Sequence, residues 1–178
     1  MMFLTADLGF GVFEEFKSRF PKQYLNVGVA EQNMVAVATG LALEGFTVFV
    51  YSIANFPVLR CLEQIRNDAA YHSANVKIVS IGGGFSYGPL GMSHHATEDI
   101  AIMRAIPEVS SFTPGTLSDV ESSVDALVTT AGTGYLRLDK SAGTDGPSAT
   151  PFVPGSWRIM SPGDDVALVA CGGVLAEA

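Results

Sequence analysis

Cysteine is scarce in this chain. Cys61 and Cys171 are the only two among 178 residues, and their separation matches no metal-ligand spacing. No disulfide framework is indicated, so a reducing cytoplasm is the expected setting. Charge is sparse as well: 16% of residues are Asp, Glu, Lys or Arg, and the net charge is −8. So few basic groups argue against nucleic acid or an anionic membrane surface as partners. The N-terminus lacks a basic stretch followed by an apolar segment and a small-residue cleavage site. No apolar run reaches the roughly 20 residues that a bilayer requires. Met34 to Tyr51 comes nearest and is broken by Glu44-Gly45. What is present in quantity is apolar residue, 48% of the chain. That suits a compact domain with a large buried fraction, and the length suits one such domain better than two.

Along the chain, strand-like and helix-like stretches alternate. Phe3 to Ala6, Tyr24 to Val27, Phe46 to Tyr51, Val76 to Ile81, Val109 to Thr113 and Tyr135 to Leu138 are short apolar runs of strand type. Between them, Val12 to Phe20, Ala30 to Glu44, Pro57 to His72 and Ala96 to Ala105 have helical character. A further helix up to Thr130 is introduced by a capping box at Thr116 and Asp119. This alternation predicts an α/β fold, a three-layer α/β/α arrangement around a mostly parallel sheet. Ligands of such sheets gather beyond the carboxyl ends of the strands. Asp7-Leu8, Glu31, Asn55-Phe56 and Ser93 to His95 all follow strands.

After Asp139 the character changes. Asp139 to Gly163 holds four prolines and four glycines and reads as a connector. Beyond it, DVALVACGGVLAEA begins a new strand, Gly turn and helix. The expected division is a domain over residues 1–140, a linker over 141–163, and the truncated start of a second domain over 164–178.

Glu31 is the one ionisable group between Asn26 and Ala42. A carboxylate in a helix first turn is favoured by the macrodipole. That accounts for its position but leaves unexplained why its surroundings are free of charge. Burial among Val27, Val29 and Met34 would disfavour the charged form by desolvation, as proton-transfer chemistry requires.

The runs NVGVAEQNM, YSIANFPVLRCLEQIRND, GMSHHATEDIAIMR and IPEVSSFTPG occur in that order. Together they resemble the pyrimidine-binding domain of transketolase-like thiamine diphosphate enzymes. The likeness is to the C-terminal section found where transketolase is split into two chains, and it covers residue 3 to about 140. By that resemblance Glu31 is the carboxylate that hydrogen-bonds the cofactor's aminopyrimidine ring nitrogen. Phe56 matches the aromatic residue that stacks on the ring. Leu8 matches an aliphatic side chain that wedges the cofactor into a bent shape, and Asp7 beside it matches the same turn. From the residues alone, Asp7 is equally a helix N-cap and Leu8 equally a core residue.

The His94-His95-Ala-Thr-Glu98-Asp99 run pairs His94 with Glu98 and His95 with Asp99 on helical faces. A metal site needs three or four convergent ligands, and no cysteine or histidine cluster supplies the remainder. No metal ligand is therefore assigned. The resemblance makes His94 a substrate-contacting histidine, able to bond a sugar hydroxyl or relay a proton. Arg60 and Lys140 are the candidate cations for a sugar phosphate; relatives often carry a phosphate-binding arginine at the Lys140 position. Gly82 to Gly84 reads as a strand-end turn rather than a nucleotide-binding loop. Leu90 stands where classical transketolases carry a substrate-binding acid, a departure from ordinary pentose-phosphate specificity.

The resemblance implies the pyrimidine-binding half of a split transketolase that transfers a ketol unit between sugars or sugar phosphates and aldehydes. Nothing in the sequence matches the Gly-Asp-Gly…Asn signature that binds magnesium and diphosphate. Thiamine diphosphate and magnesium would thus be held mainly by a diphosphate-binding N-terminal subunit, in a dimer or an α2β2 heterotetramer. The alternatives are a 2-oxo-acid dehydrogenase β-type subunit, a deoxyxylulose-phosphate-synthase-like subunit, or a noncatalytic regulatory relative.

Overall fold

Val48–Ile53 (VFVYSI) and Val76–Ile81 (VKIVSI) are rich in β-branched residues and buried along nearly their whole length. Strands of that composition belong in the middle of a sheet covered on both faces. In the computed structural model, which describes residues 1–140 and 152–178, they are the central pair. The strands are β1 Met2–Thr5, β2 Tyr24–Asn26, β3 Val48–Ile53, β4 Val76–Ile81, β5 Val109–Phe112 and β6 Thr133–Leu138. Their order across the sheet is β2-β1-β3-β4-β6-β5, and every pairing is parallel. The helices are α1 Glu14–Arg19, α2 Glu31–Leu43, α3 Asp99–Ala105 and α4 Leu117–Thr129. Among the described residues no helix is long and apolar enough to cross a membrane.

Alternation along the strands sends successive side chains into two cores. Val48, Val50, Ile78 and Tyr135 face one side, packed with Met34, Val35 and Ala38 of α2 and Met103 of α3. Phe49, Val79 and Leu136 face the other side with Leu127 of α4. Phe13 and Phe16 of the α1 region close this second face against Phe3 and Tyr51. Two covered faces make the three-layer α/β/α arrangement that the alternating pattern predicts.

Local outcomes differ from the sequence expectation at several points, α1 and α3 each starting later than expected. The stretch from Pro57 to His72 is two wide-wound helical segments, Phe56–Arg60 and Gln64–Ala70, instead of one regular helix. Widened turns of this kind are rare and gather at functional sites. The capping box forms by half: Thr116 Oγ1 accepts from Asp119 N at 3.1 Å, while the Asp119 carboxylate takes both Arg158 nitrogens at 2.8 Å. Finally, DVALVACGG makes no strand; it is tied to the domain at its end, where Gly172 N donates to Thr113 O at 3.1 Å and Gly173 N to Asp139 Oδ2 at 2.6 Å. One short helical turn, Gly172–Ala176, follows it. Of the connector expected over 141–163, residues 141–151 lie outside the described residues.

Candidate active site

The loop after β2 delivers Glu31 to the first position of α2. Asn26, at the end of β2, holds this loop and the loop after β1 together. Its Oδ1 accepts from Asp7 N at 3.0 Å and Gly28 N at 2.9 Å, and its Nδ2 donates to Asp7 Oδ1 at 3.1 Å. Asp7 is strained, with φ 58° in a residue other than glycine, a conformation that costs energy and concentrates at functional loops. Asp7 therefore caps no helix; α1 starts at Glu14, seven residues on. Leu8 is half-buried beside it and belongs to neither core cluster.

Glu31 is 3% exposed. Its wall is only partly apolar: Met34 is buried, but Val29 stands 76% exposed. What meets the carboxylate is a cation. Arg60 Nη1 donates to Glu31 Oε2 at 2.6 Å, a charge-assisted bond between residues 29 apart in sequence. The widened turn Phe56–Arg60 also sets the guanidinium 4.8 Å from the centre of the Phe56 ring. Phe56 in turn meets His94 edge-on, with ring centres 5.2 Å apart. His94 lies 5.8 Å from Tyr87, and Lys140 Nζ sits 4.4 Å from the Tyr87 ring. Glu31, Arg60, Phe56, His94, Tyr87 and Lys140 thus form one row beyond the carboxyl ends of the strands.

The segment carrying His94 is held firmly at its base. Asn55 Nδ2 donates to His95 O at 2.6 Å and to Met92 O at 3.3 Å. Gly82 and Gly83 permit close approach: a Cβ at Gly82 would lie 2.1 Å from the Tyr87 ring, and one at Gly83 would lie 1.6 Å from Arg137 Nε. Behind them, Tyr135 donates to Asp99 Oδ2 at 2.6 Å, with Arg137 within 3.5 Å of both Asp99 and Asp139. Burial, with Asp99 beside it, pushes the Tyr135 phenol far above its ordinary range, so it remains a donor. The four residues of the His94 to Asp99 run do not converge. His94 Nδ1 pairs with Ser93 Oγ, His95 Nε2 with Gly88 O, Glu98 with Thr97, and Asp99 with Tyr135.

Five of the seven residues expected at the site therefore share the row. Asp7 and Leu8 occupy the adjacent loop after β1. Of the two candidate phosphate cations, Arg60 is engaged by Glu31 and Lys140 is exposed over Tyr87. Tyr87, Asn55 and Asn26 receive no role from the sequence. An asparagine at or just past a strand end, or a tyrosine in the loop beyond one, is their only signal.

The family model for the transketolase pyrimidine-binding domain matches residues 1–144. This chain belongs to that family. A subunit of the apulose-4-phosphate transketolase of Actinobacillus succinogenes is 36% identical over 166 residues, covering 91% of this chain and 52% of that protein. A 6-deoxy-6-sulfo-D-fructose transketolase subunit of Clostridium is 32% identical over 177 residues, covering 98% of this chain and 55% of that protein. A solved split-gene transketolase, an inactive β4 tetramer, superposes with a TM-score of 0.85 at 33% identity, covering 99% of this chain and 57% of that one. The chain spans about half the length of the curated relatives it matches.

As a transketolase pyrimidine-binding domain, the chain carries a donor set suited to the pyrimidine end of thiamine diphosphate. A buried carboxylate accepts an N–H from a planar cation that lies against an aromatic ring, and the cofactor's aminopyrimidine, with a proton on its ring nitrogen, would offer the same chemistry. No three His, Cys, Asp or Glu side chains converge as metal ligands among the described residues.

Proposed function

We propose that this chain is the pyrimidine-binding half of a thiamine-diphosphate-dependent transketolase. It transfers a ketol unit between sugar or sugar-phosphate donors and aldehyde acceptors, together with a diphosphate-binding partner chain. The observation that carries this reading is Glu31, a nearly inaccessible carboxylate whose partner is a flat cation resting on Phe56. The names and lengths of the similar proteins support it.

When bound, thiamine diphosphate would supply a nucleophilic carbon. Glu31 holds and moves a proton at the pyrimidine ring nitrogen, and Phe56 stacks on the ring. Leu8 and the strained turn at Asp7 flank the cofactor. His94 hydrogen-bonds a sugar hydroxyl, and Lys140 meets an anionic substituent of the substrate as a point charge. The partner holds magnesium and diphosphate.

Phe10, Val12, Val29, Phe85 and Met92 are all more than 60% exposed, and all lie in loops that follow strands. Exposed apolar side chains concentrated around a site mark an interaction surface. We assign that surface to the partner, in a dimer or an α2β2 heterotetramer placed in the cytoplasm. Residues 1–140 form the pyrimidine domain, 141–163 the linker, and 164–178 the opening of a further domain.

The test is product analysis on the purified complex of this subunit with its partner, with thiamine diphosphate and magnesium present. Ketol transfer to an aldehyde sugar is expected. Release of carbon dioxide from pyruvate without ketol transfer would assign the chain to the dehydrogenase or deoxyxylulose-phosphate-synthase branch instead.

A further inference from the structure

Two contacts of Arg60 fall on residues assigned to the cofactor's pyrimidine. Its Nη1 donates to Glu31 Oε2 at 2.6 Å, and its guanidinium carbon lies 4.8 Å from the Phe56 ring centre. A guanidinium is flat, delocalised and edged with N–H donors, so it can bond a carboxylate and lie on an aromatic face at once. An aminopyrimidine protonated at its ring nitrogen shares these features.

We propose that Arg60 is a stand-in for the aminopyrimidine: without cofactor its guanidinium fills the seat between Glu31 and Phe56, and cofactor binding displaces it. This rests on the assignment of Glu31 and Phe56 to the pyrimidine.

Two observations give the stand-in a purpose and a way out. Glu31 is 3% exposed, and a buried carboxylate left without a partner is strongly unfavourable. A cation beside Glu31 offsets that cost, and the widened turn that places Arg60 beside Phe56 supplies one. Arg60 itself is 47% exposed, so its side chain can leave into solvent without unpacking the core. Val58 and Cys61, on either side of it, are fully buried and keep the backbone in place.

The experiment is calorimetric titration of thiamine diphosphate, with magnesium, into the subunit assembled with its partner. Wild type is compared with Arg60→Met, Arg60→Lys and Glu31→Gln. An ion pair half open to solvent is worth up to about a factor of five in an equilibrium constant. Arg60→Met is expected to bind the cofactor roughly two- to fivefold more tightly, and Arg60→Lys to fall between it and wild type. Millimolar methylguanidinium should return the Arg60→Met affinity towards wild type by refilling the seat. Damage to the fold would weaken binding, so tightening is specific to the stand-in role. If Glu31→Gln loosens the cofactor while Arg60→Met and Arg60→Lys bind no more tightly than wild type, the stand-in is wrong and the cofactor assignment survives. If no complex takes up the cofactor, both fall together.

Discussion

The two ends of the sheet are built from different materials. At the amino ends, side chains turn inward and close on backbone. Lys77, 1% exposed, donates to Thr130 O at 2.8 Å and Gly132 O at 2.6 Å, just past the end of α4. Thr133 Oγ1 donates to Ala74 O at 3.0 Å. These bonds satisfy carbonyls and turns that helix and sheet leave over. At the carboxyl ends, the corresponding positions hold an acid, two cations, a histidine and aromatics that face one another and solvent. One end of each strand supports the fold, and the other displays chemistry. Because the two groups of residues are separated by the length of a strand, their effects should be separable.

The sharpest break in that comparison comes from Glu31→Gln. In the assembled enzyme it should lower kcat by about 100- to 10,000-fold, the range that proton transfer by a positioned group supplies. The melting temperature should fall little, since Gln keeps the shape and can still meet Arg60. Steady-state kinetics with thermal melts checks both halves. His94→Asn should lower kcat/KM for the sugar by about 10- to 100-fold and leave cofactor affinity unchanged, as a contact to substrate alone would.

At the other end the pattern should invert. Lys77→Met removes two hydrogen bonds to carbonyls and should cost about 2 kcal/mol in urea unfolding, with activity below the melting range preserved. Burial pushes the Lys77 ammonium down to about 8 from the ordinary value of 10.5. The folded chain thus binds this proton less tightly than the unfolded chain, and its opposition to folding is full below pH 8. It is relieved between pH 8 and 10.5, so wild-type stability should gain a rising component there that Lys77→Met lacks. Loss of catalysis without loss of stability in Lys77→Met would erase the distinction between the two ends.

The smallest effect concerns the cysteines. Burial pushes the Cys61 thiol up to about 12, and its side chain packs in the core, whereas Cys171 is exposed. Iodoacetamide at about pH 8 should add one group to the native chain and a second only in denaturant, as read by mass spectrometry.

Much of the fold can be read from local pattern. The strand Val76–Ile81 is delimited to the residue, because a six-residue run with four β-branched residues that ends in three glycines has few other meanings. The parallel sheet follows from the alternation of strands and helices. The start of α1 does not: apolar spacing extends back to Val12, but Glu14 reaches back to Gly11 N at 2.8 Å and starts the helix later. Periodicity cannot reveal the widened turns after β3, since their altered hydrogen bonding leaves the apolar spacing unchanged.

The candidate site is legible as residue types but not as contacts. Glu31 stands out by its isolation in sequence, and Phe56 and His94 by their places after strands. The bond from Arg60 to Glu31 joins positions 29 apart, and only the neighbouring loops of the folded sheet bring them together. Charge and spacing leave Arg60 free for a phosphate, while the structure gives it to Glu31.

The measurement that tests the central claim most directly is native mass spectrometry of this subunit with its diphosphate-binding partner, thiamine diphosphate and magnesium. The predicted result is a stoichiometric complex that retains the cofactor, with retention weakened by Glu31→Gln. A complex that forms without taking up cofactor, or retains it equally with Gln at position 31, would contradict the account.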